Sequence, residues 1–132
     1  MKKSYKGLVV WLVLYLLGFV PIIMFVSDGK IAVKLVMWYT SVMITLLMLL
    51  IRNTDSVYWI NGVDFKTAEK VGYEKRMDFA QAHLDKFSKH TVFFTIYVVI
   101  GYFLGFGALL DTVVFTVSLV AVAFSTINIR LK

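Results

Sequence analysis

The sequence predicts an all-α integral membrane protein with four transmembrane helices and a cytoplasmic amphipathic helix between the second and the third. Two observations predict this fold class. Apolar residues make up 60% of the 132 residues, with a mean hydropathy of +0.81 and one proline. That composition fits neither a disordered chain nor an ordinary water-soluble globule. The charged residues are also concentrated. The chain has 14 basic and 8 acidic residues, and 13 of these charged residues lie in residues 52–90.

Four apolar stretches are long enough to cross a bilayer as helices, since about 20 helical residues cover roughly 30 Å of hydrocarbon. With the polar segment 52–90 they make residues 1–132 a single membrane domain. The last two stretches are together too long for one crossing, so Gly105, Gly107 and Asp111 are expected to lie at a turn. Asp111 is predicted to cap the fourth helix. The predicted spans are residues 7–26, 31–51, 91–110 and 112–129.

The basic residues predict the orientation of the chain in the plasma membrane. With both termini in the cytoplasm, the inside segments are 1–6, 52–90 and 130–132, which hold 12 of the 14 lysines and arginines. Segments of this length follow the positive-inside rule. The chain is therefore predicted to be a multi-pass protein of the cell membrane with the lipid bilayer as its first partner. Lys34, one turn inside the second span, is expected to extend outward to the membrane surface.

The polar segment is predicted to hold an amphipathic helix from about Asp64 to Lys89, because its apolar residues recur at helical spacing. Gly72 weakens the middle of this helix and can divide it in two. Its placement remains open: the helix lies in the membrane surface, or it docks against the cytoplasmic ends of the other helices or against a partner, or it is an extension of the third span into the cytoplasm. The apolar stripe is a candidate cytoplasmic docking face, formed by Phe65, Ala68, Phe79, Leu84 and Phe87.

The charge of the polar segment limits the class of partner. Seven basic and six acidic residues give residues 52–90 a net charge of +1. Such a balance is not that of a polybasic lipid-binding tract, and the basic residues that bracket the spans indicate membrane orientation rather than a nucleic-acid surface. We therefore expect no nucleic-acid partner, and expect contacts with protein, in a homo-oligomer or in a larger membrane complex.

A second group of residues consists of small or polar side chains within the spans. Small residues and hydroxyls let membrane helices approach closely and form hydrogen bonds, and a pathway lining is the sharper alternative. The Gly101-x-x-x-Gly105 motif and Ser118 are expected to pack the third helix against the fourth, with a second copy of the chain as the alternative partner of the motif. The candidate packing or pathway residues are Ser41, Thr45, Gly101, Tyr102, Gly105, Ser118, Ser125 and Asn128.

Recognisable catalytic patterns are missing from the sequence. There is no cysteine, which excludes thiolate chemistry and disulfides. His83 and His90 are seven residues apart rather than the four of compact helical metal sites, so they are predicted to be solvated or interfacial. We expect no catalytic, cofactor-binding or metal-binding residues and no cofactor.

The sequence therefore favours a small non-enzymatic polytopic membrane protein, an accessory, immunity-like or regulatory component that acts through its cytoplasmic amphipathic segment. A small homo-oligomeric channel or transporter is the alternative. An interfacial enzyme that acts on lipid headgroups through Asp55, Asp64, Arg76 or His83 is a third and weaker alternative.

Overall fold

A computed structural model describes residues 2–60 and 62–131, and within them the chain is all-helical, as predicted. A single 3₁₀ turn, Val57–Trp59, lies between the second and third of the five α-helices. Four of these helices, α1, α2, α4 and α5, are long and apolar enough to cross a membrane. The helices are α1 (Lys6–Phe25), α2 (Gly29–Asn53), α3 (Phe65–Val71), α4 (Tyr73–Leu104) and α5 (Ala108–Thr126).

Two short turns join the long helices at one end of the bundle, which we call the hairpin end. Residues 26–28 connect α1 to α2, and residues 105–107 connect α4 to α5. Asp28 caps α2, because its carboxylate accepts hydrogen bonds from the backbone N–H groups of Lys30 at 2.9 Å and Ile31 at 3.4 Å. Gly105 ends α4 in the left-handed region, with φ of +72°, a conformation that glycine adopts without steric cost.

Three helices form the centre of the bundle. α2 and α4 share the most extensive interface, and α5 packs against both of them. α1 packs on the outside of α2, and none of its residues is buried. The chain is therefore a three-helix core with a fourth long helix attached to one side.

Aromatic side chains hold α1 against α2. The rings of Tyr15 and Tyr39 lie 5.5 Å apart between centroids, and Phe19 meets Tyr39 edge-to-face at 5.5 Å. Polar groups of the aromatic side chains also form hydrogen bonds across this interface. The Trp11 indole N–H donates to the carbonyl of Met43 at 2.8 Å, and the Tyr39 hydroxyl donates to the carbonyl of Tyr15 at 2.9 Å. Aromatic packing plus completed hydrogen bonds is an economical way to fix a peripheral helix.

The opposite end of the bundle, which we call the polar end, has a small core of its own. Ile51 from α2, Val57 from the 3₁₀ turn, Ala68 from α3 and Phe79 from α4 are buried together. The C-terminal tail covers this cluster through Ile129 and Leu131. The helices α2, α3 and α4 and the C-terminal tail therefore meet at this end.

The N-terminal residues are tied to the polar end as well. The Tyr58 hydroxyl accepts from the backbone N–H of Ser4 at 2.8 Å and lies 2.8 Å from the carbonyl of the same residue. The Trp59 indole N–H donates to that carbonyl at 2.9 Å. The two ends of the chain and the polar segment thus lie on the same side of the bundle.

The polar segment differs from its predicted form. In place of one amphipathic helix that ends near Lys89, it contains the short α3 and the first half of α4, which continues without a break into the third apolar stretch. The break falls at Gly72, whose φ of +88° lies in the region that favours glycine. The helix that contains the third apolar stretch therefore begins at Tyr73 within the polar segment, which corresponds to one of the placements that the sequence leaves open.

Gly18 is predicted to be essential for the packing of α1. A Cβ atom at this position would collide with the hydroxyl and ring of Tyr39, and Tyr39 is held in place by its hydrogen bonds to Leu14 and Tyr15. Overpacking of this kind costs about 1–3 kcal/mol, so Gly18→Ala should lower the free energy of unfolding in micelles by that amount.

Gly29→Ala is the matched control, because nothing lies within 4 Å of a Cβ at Gly29. It should leave the free energy of unfolding unchanged or slightly raised, since alanine has the higher helix propensity. Equal effects of the two substitutions would contradict the proposed contact.

Candidate functional site

A buried ion pair lies near the hairpin end of the core. The Lys34 ammonium donates to Asp111 Oδ2 at 2.7 Å and to the carbonyl of Phe106 at 2.5 Å. The side chains of Lys34 and Asp111 are only 5% and 0% exposed. The Tyr97 hydroxyl donates to the other carboxylate oxygen at 2.8 Å. The site thus joins α2, α4 and α5.

This geometry corrects two expectations from the sequence. Lys34 does not extend to the surface, because Asp111 and the Phe106 carbonyl satisfy its ammonium inside the bundle. Asp111 does not cap the fourth helix, because α5 begins at Ala108, one turn earlier, with Gly107 at the cap position. Each residue taken alone resembles a surface feature, and only the pairing explains why both are buried.

Gly101 and Gly105 serve purposes other than the packing predicted for their motif. Gly105 provides the left-handed residue that ends α4. A Cβ at Gly101 would lie 3.0 Å from the Phe106 ring and 3.4 Å from the Lys34 side chain. Gly101 therefore makes room for the ion-pair site. Ser118 lies elsewhere along the bundle, opposite His90, so it does not face Gly101.

His90 joins the same three helices at the middle of the core. It is 3% exposed, with Nδ1 at 2.7 Å from the Ser41 hydroxyl and Nε2 at 2.9 Å from the Ser118 hydroxyl. One assignment satisfies every partner: Ser41 donates to Nδ1, the Nε2–H donates to Ser118, and Ser118 donates to the carbonyl of Phe115 at 3.1 Å. His90 is thus a structural bridge and not the solvated residue that the sequence predicts.

The hydroxyls near His90 extend this hydrogen-bonded seam along the interface of α2 and α4. The Thr45 hydroxyl donates to the carbonyl of Phe87 at 2.9 Å and lies 2.7 Å from the Thr91 hydroxyl. The Trp38 indole N–H donates to the Thr95 hydroxyl at 2.8 Å. Ser41 and Thr45 therefore take part in interhelical bonding, which is one of the two roles that the sequence offers for them.

The other candidate pathway residues lie apart from this seam. Tyr102 is 58% exposed near the hairpin end, and Asn128 is exposed beyond the end of α5. The Ser125 hydroxyl donates to the carbonyl of Val122 in its own helix at 2.6 Å. Within one chain these residues do not line a common route with Ser41 and Thr45.

The predicted docking face is occupied by the chain itself. Four of its members are at most 9% exposed, and the fifth, Phe65, packs edge-to-face on Tyr58 with centroids 5.1 Å apart. Ala68 and Phe79 belong to the core of the polar end. An apolar stripe on a helix predicts that the stripe is buried, but it does not predict whether the same chain or a partner covers it. The buried members are Ala68, Phe79, Leu84 and Phe87.

A second ion pair, which the sequence does not predict, fixes the start of α4. The Arg76 guanidinium donates from Nε and Nη2 to the two carboxylate oxygens of Asp55, at 2.7 and 2.9 Å. Its Nη1 donates to the carbonyl of Ala68 in α3 at 3.0 Å. Bidentate pairs of this kind combine charge with fixed geometry. The hydrogen bond to Asp55 raises the pKa of Arg76 above its ordinary value, so the guanidinium stays charged.

An open cleft of about 480 Å³ lies at the polar end between α3, α4 and the C-terminal tail. Its lining includes Thr67 from α3, Phe79 and His83 from α4, and Ile129 and Arg130 from the tail. His83 is 4% exposed, so it is a wall residue and not the solvated histidine that its sequence position suggests. We call this feature the polar-end cleft.

The comparisons with known proteins give no relatives: no protein-family model, no curated protein and no solved structure matches the chain. Among residues 2–60 and 62–131, no group of three or more His, Cys, Asp or Glu side chains is placed to hold a metal ion. The function must therefore be argued from the geometry of this chain alone.

The buried ion pair is predicted to dominate stability at the hairpin end. Lys34→Met leaves the Asp111 carboxylate buried without its counter-ion, and breaking a buried pair in this way costs about 3–5 kcal/mol. The double variant K34M/D111L replaces both charges by apolar groups and should recover most of that loss. The free energy of unfolding in micelles measures both effects.

Lys30→Met is the matched control, because Lys30 is exposed one turn away from Lys34. Exposed substitutions usually change stability by less than about 0.5 kcal/mol. If Lys34→Met and Lys30→Met were equally mild, the ion pair would not carry the stability assigned to it.

Proposed function

We propose that this chain is a small non-enzymatic integral membrane protein, an accessory, immunity-like or regulatory component that acts through protein contacts made at its polar end. Its four long apolar helices would cross the bilayer, and both termini would lie in the cytoplasm. The exposed side of the polar segment would carry the contacts, since the apolar side is used for packing within the chain.

The proposed orientation is supported by where the charges lie. The N-terminal residues, the polar segment and the C-terminal tail share the polar end through direct contacts. The described residues of these parts hold 11 of the chain's 14 lysines and arginines. The positive-inside rule favours the cytoplasm for such an end, and the hairpin end would then face the outside.

The observation that carries the proposed contact role is an exposed aromatic residue on a rigid corner. Tyr73 is 61% exposed and begins α4, directly after the Gly72 break. Tyrosine is among the residue types that dominate binding energy at protein interfaces. The bidentate pair of Arg76 with Asp55 holds this corner in position, so little ordering would be needed on binding.

Charges of both signs surround this tyrosine. Lys66, Glu69, Lys70, Glu74 and Lys75 are all exposed on α3 and the first turn of α4. With Tyr73 they form what we call the contact surface. Charges of both signs around an aromatic residue are typical of the polar rim of a protein interface, whereas the basic clusters that bind anionic lipid contain roughly four to eight Lys or Arg residues. A protein partner is therefore proposed.

The non-enzymatic part of the proposal is supported by the uses of the polar side chains in the core. His90 forms hydrogen bonds with Ser41 and with Ser118, and Lys34 is paired with Asp111. These groups connect helices to each other. They are therefore assigned to holding the bundle together.

The proposed orientation predicts a simple labelling pattern. Because the chain has no cysteine, single-cysteine variants need no altered background. Ser27→Cys, at the hairpin end, should react with a membrane-impermeant maleimide in intact cells. Glu69→Cys, at the polar end, should react only after permeabilisation, because the bilayer shields it. Both positions are exposed and neither substitution changes the number of basic residues. The reverse pattern would contradict the orientation.

The contact surface predicts a local dependence on Tyr73. A photocrosslinking amino acid at position 66 should form a discrete protein adduct in native membranes. Tyr73→Ala should weaken that adduct strongly, because loss of an aromatic anchor costs about 2 kcal/mol or more of binding free energy.

Tyr102→Ala is the matched control, because Tyr102 is similarly exposed, at 58% against 61%, but lies near the hairpin end. It should leave the adduct intact. Loss of the adduct in the Tyr102 variant but not in the Tyr73 variant would place the contact elsewhere and reject the proposal.

A further inference from the structure

The polar-end cleft has the size of a small-molecule site and lies beside the end of a long apolar helix. Its volume of about 480 Å³ falls within the roughly 300–1,000 Å³ of typical ligand sites. Thr126, the last residue of α5, and Ile127 contribute to its lining. If α5 crosses a bilayer, the cleft opens at the depth of the lipid headgroups.

A buried histidine provides the inner wall of the cleft with a hydrogen-bond acceptor. His83 Nδ1 lies 3.0 Å from the carbonyl of Phe79, and since a carbonyl only accepts, Nδ1 carries the proton. In the neutral ring Nε2 is then an acceptor. Nε2 has no hydrogen-bond partner among the described residues. Every fully buried side-chain nitrogen or oxygen among those residues does have a partner, so Nε2 cannot be fully buried. Nε2 is therefore open to the cleft.

The mouth of the cleft carries one charge of each sign. Arg130, on the tail, is exposed and forms no ion pair within residues 2–60 and 62–131. Asp64, which precedes α3, is exposed on the same cleft. Between this mouth and His83 the lining is mainly apolar, with Phe79 and Ile129. The cleft thus offers a cation, an anion, an apolar wall and one inner acceptor.

We infer that the polar-end cleft binds the headgroup region of a phospholipid whose headgroup carries a hydrogen-bond donor. The phosphate lies at Arg130, the headgroup hydroxyl or ammonium donates to His83 Nε2, and the start of an acyl chain packs on Phe79 and Ile129. Asp64 favours an ammonium-bearing headgroup over a purely anionic one. The inference rests on the proposed membrane insertion, but it needs no protein partner.

The experiment is native mass spectrometry of the purified full chain, released from nanodiscs of defined composition. Phosphatidylethanolamine and phosphatidylcholine have the same net charge, but the methylated amine of the second donates no hydrogen bond. One hydrogen bond changes affinity by about two- to tenfold. Phosphatidylethanolamine should therefore be retained about two- to tenfold more strongly than phosphatidylcholine.

Variants separate the contributions of the three parts of the cleft. His83→Phe keeps a flat ring without the acceptor, so it should abolish the preference for phosphatidylethanolamine. Arg130→Gln should weaken both lipids by about the same factor, roughly fivefold for one cation at a membrane surface. Arg52→Gln is the control, because Arg52 is an exposed cation at the same end that does not line the cleft. It should have no effect.

Thr67→Trp provides a test that does not depend on the buried histidine. Thr67 is exposed on the lip of the cleft, so the substitution fills the mouth without disturbing the core and should remove bound lipid. Equal retention of phosphatidylethanolamine and phosphatidylcholine by the unaltered chain would overturn the inference, as would lipid binding that Thr67→Trp leaves unchanged. Competition by glycerol phosphate at equal affinity would assign the cleft to a soluble phosphate ester and also overturn it.

A failed lipid experiment would be distinguishable from a failure of the proposed function. Cysteine labelling reports the orientation and the adduct at position 66 reports the partner. Neither measurement involves the residues of the cleft.

Discussion

The ion pair between Lys34 and Asp111 is the interaction on which the arrangement of the core depends most. Two charges can be buried only if each is paired and the remaining hydrogen-bonding positions are satisfied. Here α2 supplies the cation, α5 the anion, and Tyr97 of α4 a donor to the second carboxylate oxygen. A packing that separated Lys34 from Asp111 would leave both charges unpaired, so this site disfavours many packings that apolar surfaces alone would allow.

The second constraint is the continuity of α4. Its 32 residues give a rod of about 48 Å, longer than the roughly 30 Å of a bilayer interior. One part of the rod is anchored near the hairpin end through Tyr97, the middle through His90, and the start through Arg76 and Asp55. The polar end is therefore built on an extension of a core helix, and its position follows from contacts made along the whole bundle.

The sequence predicts the parts of this structure that depend on hydropathy and turn chemistry. The four apolar stretches, the break at Gly72 and the turn near Gly105 are local properties, and the structure contains each of them. Pairings between distant residues are different, because nothing local distinguishes a paired lysine from one that reaches the surface. A signal for the ion pair exists: Lys34 and Asp111 are charges of opposite sign at the starts of the second and fourth apolar stretches, on the same predicted side, and a charge within an apolar stretch such as Lys34 needs a partner. For Phe79 or Leu84 no such signal exists, because an apolar stripe looks the same whether the chain or a partner covers it.

The two proposed surfaces share one small element, α3. Tyr73 and His83 are ten residues apart on α4, which separates them by about 15 Å along the axis and by roughly 80° around it at 3.6 residues per turn. A ligand in the cleft therefore leaves Tyr73 uncovered. α3, however, contributes Thr67 to the cleft and Lys66 and Lys70 to the contact surface. It has only seven residues and is held through buried Ala68 and the hydrogen bond from Arg76 to the Ala68 carbonyl. The inferred lipid and the proposed partner would therefore contact different residues of the same helix, and the fixed position of α3 would serve both surfaces.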